Sequence, residues 1–310
     1  MKNTKLLILL VLLLFSCGTD YDDNIKSENP EIETTLDTTL EANNTISING
    51  TDYYTGAICI GNGDYFNTNN EIENLVIPEN LPENYDLSYL LPPIGDQGSQ
   101  GSCVSWAVTY YMKSLQEKIE TNLPYTDSTI MSPSYTYNQI TQGNCIGTNI
   151  GETLNILKEK GACSINDFPY FDTTCAIQPT EIEHDKASNA KISDFKSLSG
   201  IDMVLEMKTL LTQLTPIIIS TYLSSEFAKI DNFGITAYRE HIVDYSLDRC
   251  HAMLVVGYSD EYEAFKVVNS WGENFGDDGF VWIDYKAFHN VIDESAAFRV
   301  INLAYVAYDL

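Results

Sequence analysis

The spacing of hydrophobic positions changes part-way along this chain. From residue 103 to about residue 119, Trp106, Ala107, Tyr110, Tyr111, Ser114 and Leu115 recur at the three-to-four interval of a buried helical face. Ser132-Pro133 reads as an N-cap followed by proline at the first helical position, and residues 151–160 read as a short amphipathic helix stopped by Gly161. After about Ser188 the pattern shortens. Residues 216–220, 251–258, 264–268 and 279–283 are short β-rich runs punctuated by glycine or acidic turns. A helical half followed by a β half predicts an α+β fold with a cleft between the two.

The start of the chain has its own pattern. Met1-Lys2-Asn3-Thr4-Lys5 is a short basic region, and residues 6–15 are an unbroken apolar run. A bilayer span needs ~20 apolar residues, so the run reads as a signal peptide over residues 1–16. It closes in Leu14-Phe15-Ser16-Cys17-Gly18, which resembles the lipobox of bacterial lipoproteins. That resemblance implies a lipid on Cys17 and an anchor in the bacterial envelope, in the outer membrane. The acidic residues Asp20, Asp22 and Asp23 resemble the surface-export signals of some of these lipoproteins. Residues 17–80 read as an acidic, flexible tether, too polar over 18–50 to bury a core. Tyr53, Tyr54 and Tyr65 mark a stretch able to pack on the domain, which is expected to run over 81–310.

Charge narrows the partners. The 310 residues carry 17 Lys+Arg against 44 Asp+Glu, a formal net charge of −27. This disfavours nucleic acid and anionic lipid as partners of the folded surface. No Cys-x-x-Cys or closely spaced histidine pair offers a metal site. Neither cofactor nor metal is expected, and a monomer is.

The candidate chemistry begins at Gln97-Gly98-Ser99-Gln100-Gly101-Ser102-Cys103-Val104-Ser105-Trp106-Ala107, a glycine-rich loop running into a helix with a cysteine at the junction. The unpaired N–H groups and positive dipole end of a first helical turn favour thiolate over thiol, the reactive form. A thiol nucleophile needs a base, and the base needs a third group to fix its tautomer. Of the four histidines, His184, His241 and His289 lie in polar surroundings, whereas His251 opens an apolar strand. Asn269 ends the next strand, two residues before Trp271. Antiparallel pairing would set Asn269 beside His251, with the indole shielding their hydrogen bond.

Gln97 and Cys103, His251-Ala252-Met253, Asn269-Ser270-Trp271-Gly272 and Gly276-Asp277-Asp278-Gly279-Phe280 together resemble the papain-like cysteine peptidases, in family order, over roughly residues 84–305. His251 follows Cys103 within the roughly 130–150 residues typical of that family, and Asn269 lies a little beyond. The resemblance implies a two-lobed fold, with a helical lobe over about 97–187 and a barrel-like β lobe over about 188–310. It implies peptide substrates and a thioester acyl-enzyme. Cys103 would be the nucleophile, His251 the base and general acid, Asn269 the imidazole's orienter, and Gln97 an oxyanion donor. Gly147 would contact substrate backbone, and Trp271 would line the substrate site. A thiolate–imidazolium pair is expected at neutral pH, given a thiol pKa of about 3–4 in papain.

Several positions depart from the family pattern. Val104 stands where an aromatic is usual, Gln100 replaces a half-cystine, Thr148 replaces the second of a glycine pair, and Cys250 precedes His251. By family position Cys145 pairs with Cys175, with Cys163–Cys175 as the competing pair. The partners of Cys59, Cys163 and Cys250 stay open. Residues 18–96 contain no arginine and only Lys26 as a basic residue, so no basic helical prosegment is expected. Two other readings share these residues: a catalytically silent surface-binding module, and a thioester-based acyl transferase.

Overall fold

The helix expected from Cys103 forms in three consecutive parts. α1 (Cys103–Ser105) opens it, Trp106–Lys113 continues as a more widely wound π-helical stretch, and α2 (Ser114–Thr121) closes it. Every residue of Trp106–Lys113 is buried, so this stretch is packed all round instead of along one stripe. That includes Lys113, whose ammonium lies 2.9 Å from Glu117 and also pairs with Asp309 near the C-terminus. A fully buried lysine needs such partners to stay charged.

This computed structural model describes residues 45–59, 70–198, 202–239, 249–288 and 300–310. The signal peptide, Cys17, Tyr65, His241 and His289 lie outside them.

α3 (Pro133–Thr141) and α4 (Ile150–Glu159) pack beside the central helix. The first was legible from its start, where Pro133 follows Ser132, and the second from its amphipathic pattern and Gly161; its N-cap, the Asn149 side chain accepting the Gly151 N–H, was not singled out. α5 (Glu181–Ala187) has a capping box that the sequence reading missed, with Thr180 and Glu183 bonding reciprocally.

The other half is a nine-stranded sheet. It comprises β3 (Asn84–Asp86), β4 (Ile192–Ser197), β5 (Ile217–Tyr222), β6 (Lys229–Ile230), β7 (Thr236–Tyr238), β8 (Cys250–Ser259), β9 (Ala264–Val268), β10 (Phe280–Asp284) and β11 (Ile301–Asp309). The order is β4-β11-β5-β8-β9-β10-β7-β6, with β3 also on β8. Among the described strands only β10 and β7 pair in parallel. All ten residues of β8 are buried, because the helix from Cys103 and the helix Met203–Thr212 both pack against it between its neighbouring strands. A strand buried on both faces has no reason to alternate, and Ala252-Met253-Leu254-Val255-Val256 does not. The β8–β9 pairing sets Leu254 opposite Val268. The residue after β9 therefore lies beside the start of β8.

One helix corrects the sequence reading. α6 (Met203–Thr212) is a helix inside the supposed β half, capped by Asp202, whose side chain accepts the Leu205 N–H. Ahead of residue 81, the stretch that Tyr53 and Tyr54 marked as able to pack on the domain does so. All described residues belong to one compact unit, Thr39–Leu310. Within it, β1 (Thr45–Ile48) and β2 (Thr51–Tyr54) form an antiparallel hairpin whose Ile46 and Ile48 are buried in the main core. The tether expected over 17–80 thus contains a packed element, because alternate positions of a short hairpin are enough to dock it on existing apolar surface.

Candidate active site

Cys103 occupies the first position of α1, with Ser102 as the N-cap residue. Its Sγ accepts a hydrogen bond from the backbone N–H of Ala252 at 3.4 Å. The sulfur at the helix mouth therefore meets the second residue after the start of β8, next to His251. The imidazole Nε2 lies 2.7 Å from Asn269 Oδ1. That same oxygen accepts the Ser270 backbone N–H at 2.8 Å, which identifies it as oxygen and makes Nε2 the protonated nitrogen. In the neutral ring Nδ1 is then the bare lone pair, and it is buried with no hydrogen-bond partner. The tautomer is locked with its free nitrogen as a base.

Trp271 stacks on the His251 ring at 4.4 Å between centroids, shielding the bond to Asn269 as the sequence suggested. The Asn269 backbone is held by Tyr111, whose hydroxyl donates to its carbonyl at 2.9 Å. Gln97 is fully buried. Its Oε1 accepts the Ser270 hydroxyl at 2.7 Å, and its Nε2 donates to the Gln100 carbonyl at 2.8 Å. One amide N–H is thus engaged and the second remains for another acceptor.

A model of the papain family cysteine proteases matches residues 81–300. The chain belongs to that family. It is 26% identical over 193 residues to the gamete and mating-type specific protein A of Dictyostelium discoideum, covering 62% of this chain and 40% of that protein. It is 28% identical over 196 residues to a cathepsin L-like peptidase of Aedes aegypti, covering 61% of this chain and 54% of the relative. The chain therefore spans only about half the length of these curated relatives. Among solved structures it superposes on xylellain, a cysteine protease from Xylella fastidiosa, with a TM-score of 0.63 and 22% identity, over 83% of this chain and 96% of that one. That likeness is one of fold.

In this papain-family chain the cleft is occupied by the chain itself. Residues 55–58 follow the β1–β2 hairpin as an extended strap. Gly56 and Ala57 donate their N–H groups to the Cys250 carbonyl at 3.4 and 3.2 Å, Ile58 donates to the Thr148 carbonyl at 3.0 Å, and Thr148 donates to the Gly56 carbonyl at 2.8 Å. At the other end the Trp271 indole donates to the Tyr54 carbonyl at 2.8 Å, and Tyr53 stacks on Trp271 at 4.7 Å. Beneath the strap, Cys103 and His251 are both 0% exposed. The segment that covers the site is extended.

Covering the site changes its protonation. Burial pushes the Cys103 thiol up to about 12, although the N–H groups of Ala252, Val104 and Ala57 pull the other way. Burial pulls the His251 imidazole down to about 4, against the hydrogen bond to Asn269. Burial beneath the strap thus works against both charges of the expected thiolate–imidazolium pair.

The strap also meets residues 147 and 148. Gly147 touches the strap closely, so that a Cβ there would lie 2.7 Å from the Gly56 carbonyl oxygen. The hydrogen bonds, however, come from Thr148. Cys250 and Thr148 are the backbone partners that the sequence reading missed. Both bond through main-chain atoms, which any residue type supplies. The Cys145–Cys175 bridge is present, and Cys59 pairs with Cys250, which among the described residues leaves Cys103 and Cys163 as thiols.

Proposed function

We propose that this chain is a cysteine endopeptidase that cleaves peptide bonds through a thioester on Cys103. With the cleft open, His251 Nδ1 takes the Cys103 thiol proton as Sγ attacks the scissile carbonyl carbon. The imidazolium that forms keeps its Nε2–H on Asn269, a bond that strengthens as the ring charges. The carbonyl oxygen becomes an oxyanion, held by the Cys103 backbone N–H at the helix start and the second N–H of the Gln97 amide. Collapse of the tetrahedral intermediate expels the amine, which leaves with the proton from Nδ1. Water, deprotonated by the same nitrogen, then hydrolyses the thioester and regenerates the thiol.

The observation that carries this reading is the His251 ring, whose tautomer Asn269 fixes with Nδ1 left bare, one residue from the Ala252 N–H that bonds the Cys103 sulfur. The test is cleavage of a diverse peptide library by the reduced protein, read by mass spectrometry. Internal cleavage that disappears in Cys103→Ala is expected. Removal of terminal residues only would overturn the endopeptidase assignment. Products joined to added amines instead of water would favour acyl transfer, and no cleavage at all would leave a binding module.

Anchoring is part of the same proposal and rests on residues 1–17 alone. Lipid on Cys17 would tether the peptidase to a bacterial outer membrane through an acidic linker. Intact-mass analysis of the N-terminal peptide from membrane fractions tests it, and an unmodified Cys17 would sink it.

A further inference from the structure

The strap is tied down covalently at one end. Cys59, one residue past Ile58, is bonded to Cys250, which immediately precedes His251. The same Cys250 supplies the carbonyl that accepts two strap N–H groups. One residue thus holds the strap by sulfur and by backbone, beside the proposed base. Cys250 is buried, whereas Cys59 is only partly so, so the Cys59 sulfur is the one that an external thiolate can reach.

The strap passes close to the Cys103 sulfur, with the Ala57 N–H donating to the Cys250 carbonyl at 3.2 Å and near enough to the thiol to oppose the effect of burial on it. Its seat is also built for glycine. Gly56 has φ +149, and a Cβ there would lie 2.1 Å from the Gly101 carbonyl oxygen. The backbone bonds of the strap can be exchanged for bonds to water. The disulfide holds the C-terminal end of the strap at its seat, so that broken bonds re-form at a higher effective concentration than the chain connection alone would give.

We propose that the Cys59–Cys250 disulfide is a redox latch: oxidised, it holds residues 55–58 across the cleft; reduced, it lets them leave and exposes Cys103. The inference rests on the peptidase reading only for what the exposed site then does. The chemistry needs a thiol reductant, most simply a dithiol. Its thiolate attacks Cys59 Sγ, giving a mixed disulfide and releasing Cys250 as thiolate. The second thiol of the reductant then displaces Cys59, leaving an oxidised reductant and two protein thiols after protonation, a balanced two-electron exchange.

The experiment is timed iodoacetamide labelling of the full chain, read at the Cys103 peptide by mass spectrometry, with peptide turnover followed in parallel. Oxidised wild type, wild type reduced with dithiothreitol and desalted anaerobically, and Cys59→Ser without reductant are compared. Cys59→Ser removes the latch while leaving Cys145–Cys175 intact. The expected result is a rise of tenfold or more in Cys103 labelling in both the reduced protein and the variant. Should the variant fail to fold, the reduced wild type supplies the same readout. Equal labelling in all samples overturns the latch, even if turnover shows that the peptidase reading holds. Labelling that rises without turnover supports the latch and overturns the peptidase reading.

Discussion

Replacing Asn269 with alanine separates the orientation of the imidazole from its chemistry. The substitution removes one oxygen that accepts two buried N–H groups, His251 Nε2–H at 2.7 Å and Ser270 N–H at 2.8 Å. Each stranded donor costs about 1–3 kcal/mol of stability, unless a water takes its place. The fold should survive, because Tyr111 still holds the residue's carbonyl and Gly279 its N–H. The effect on rate is smaller than on stability. Only the extra strength of the bond to imidazolium over imidazole is lost, roughly 0.5–2 kcal/mol or about 2- to 30-fold in kcat/KM. Stacking on Trp271 keeps the ring plane, so the loss stays well short of removing the base. The assay is kcat/KM on a fluorogenic peptide using latch-opened protein, normalised to titratable Cys103, with Tm measured alongside. A lowered Tm with unchanged kcat/KM would refute the coupling argued for Asn269 and His251.

The remaining expectations concern the oxyanion, the strap, the pH dependence and the second disulfide. Gln97→Ala should lower kcat about 10²–10³-fold with KM little changed, since it removes a donor used only as charge develops; steady-state kinetics on open protein check this. Gly56→Ala, which places a Cβ 2.1 Å from the Gly101 oxygen, should unseat the strap and speed iodoacetamide labelling of Cys103 in oxidised protein. Because burial holds His251 at about 4 against 6.5 when free, the unfolded chain binds the extra proton between those values. Folded stability should therefore fall by about 2 kcal/mol from pH 7 to pH 5 through this group alone, and His251→Gln should flatten that part of a denaturation-versus-pH profile. On the alkaline side Cys103, raised from 9.0 to about 12, gives stability that is lost as pH climbs above 9, a loss that Cys103→Ala should remove. Loss of the Cys145–Cys175 bridge should cost roughly 2–5 kcal/mol, seen as a lower midpoint in denaturant.

Residues whose side chains set their own surroundings were legible in advance. Cys103 at a loop-to-helix junction, His251 at the head of an apolar strand and Asn269 at the end of the next are local signals. Antiparallel pairing of β8 and β9 joins the last two without distant information. The strap left no such trace. Thr55-Gly56-Ala57-Ile58 is held by main-chain bonds to Thr148 and Cys250, and backbone recognition writes nothing into side-chain periodicity. The pairing of Cys59 with Cys250 spans 191 residues and is not deducible from spacing. Burial of Lys113 is explained only when Asp309 arrives from the end of the chain. α6 was missed for another reason: Met203, Val204, Met207, Leu210 and Leu211 are all buried, and the strands around it drew the region into a β reading although Asp202 marks a helix start.

All of this turns on whether Cys103 becomes acylated with the help of His251. Rapid quenching of the reduced protein with an activated peptide ester, followed by mass spectrometry of the Cys103 peptide, measures that step directly. The account predicts an acyl adduct on Cys103 that decays on the timescale of turnover and fails to form in His251→Ala. An adduct on another residue, or turnover that persists in Cys103→Ala, would contradict it.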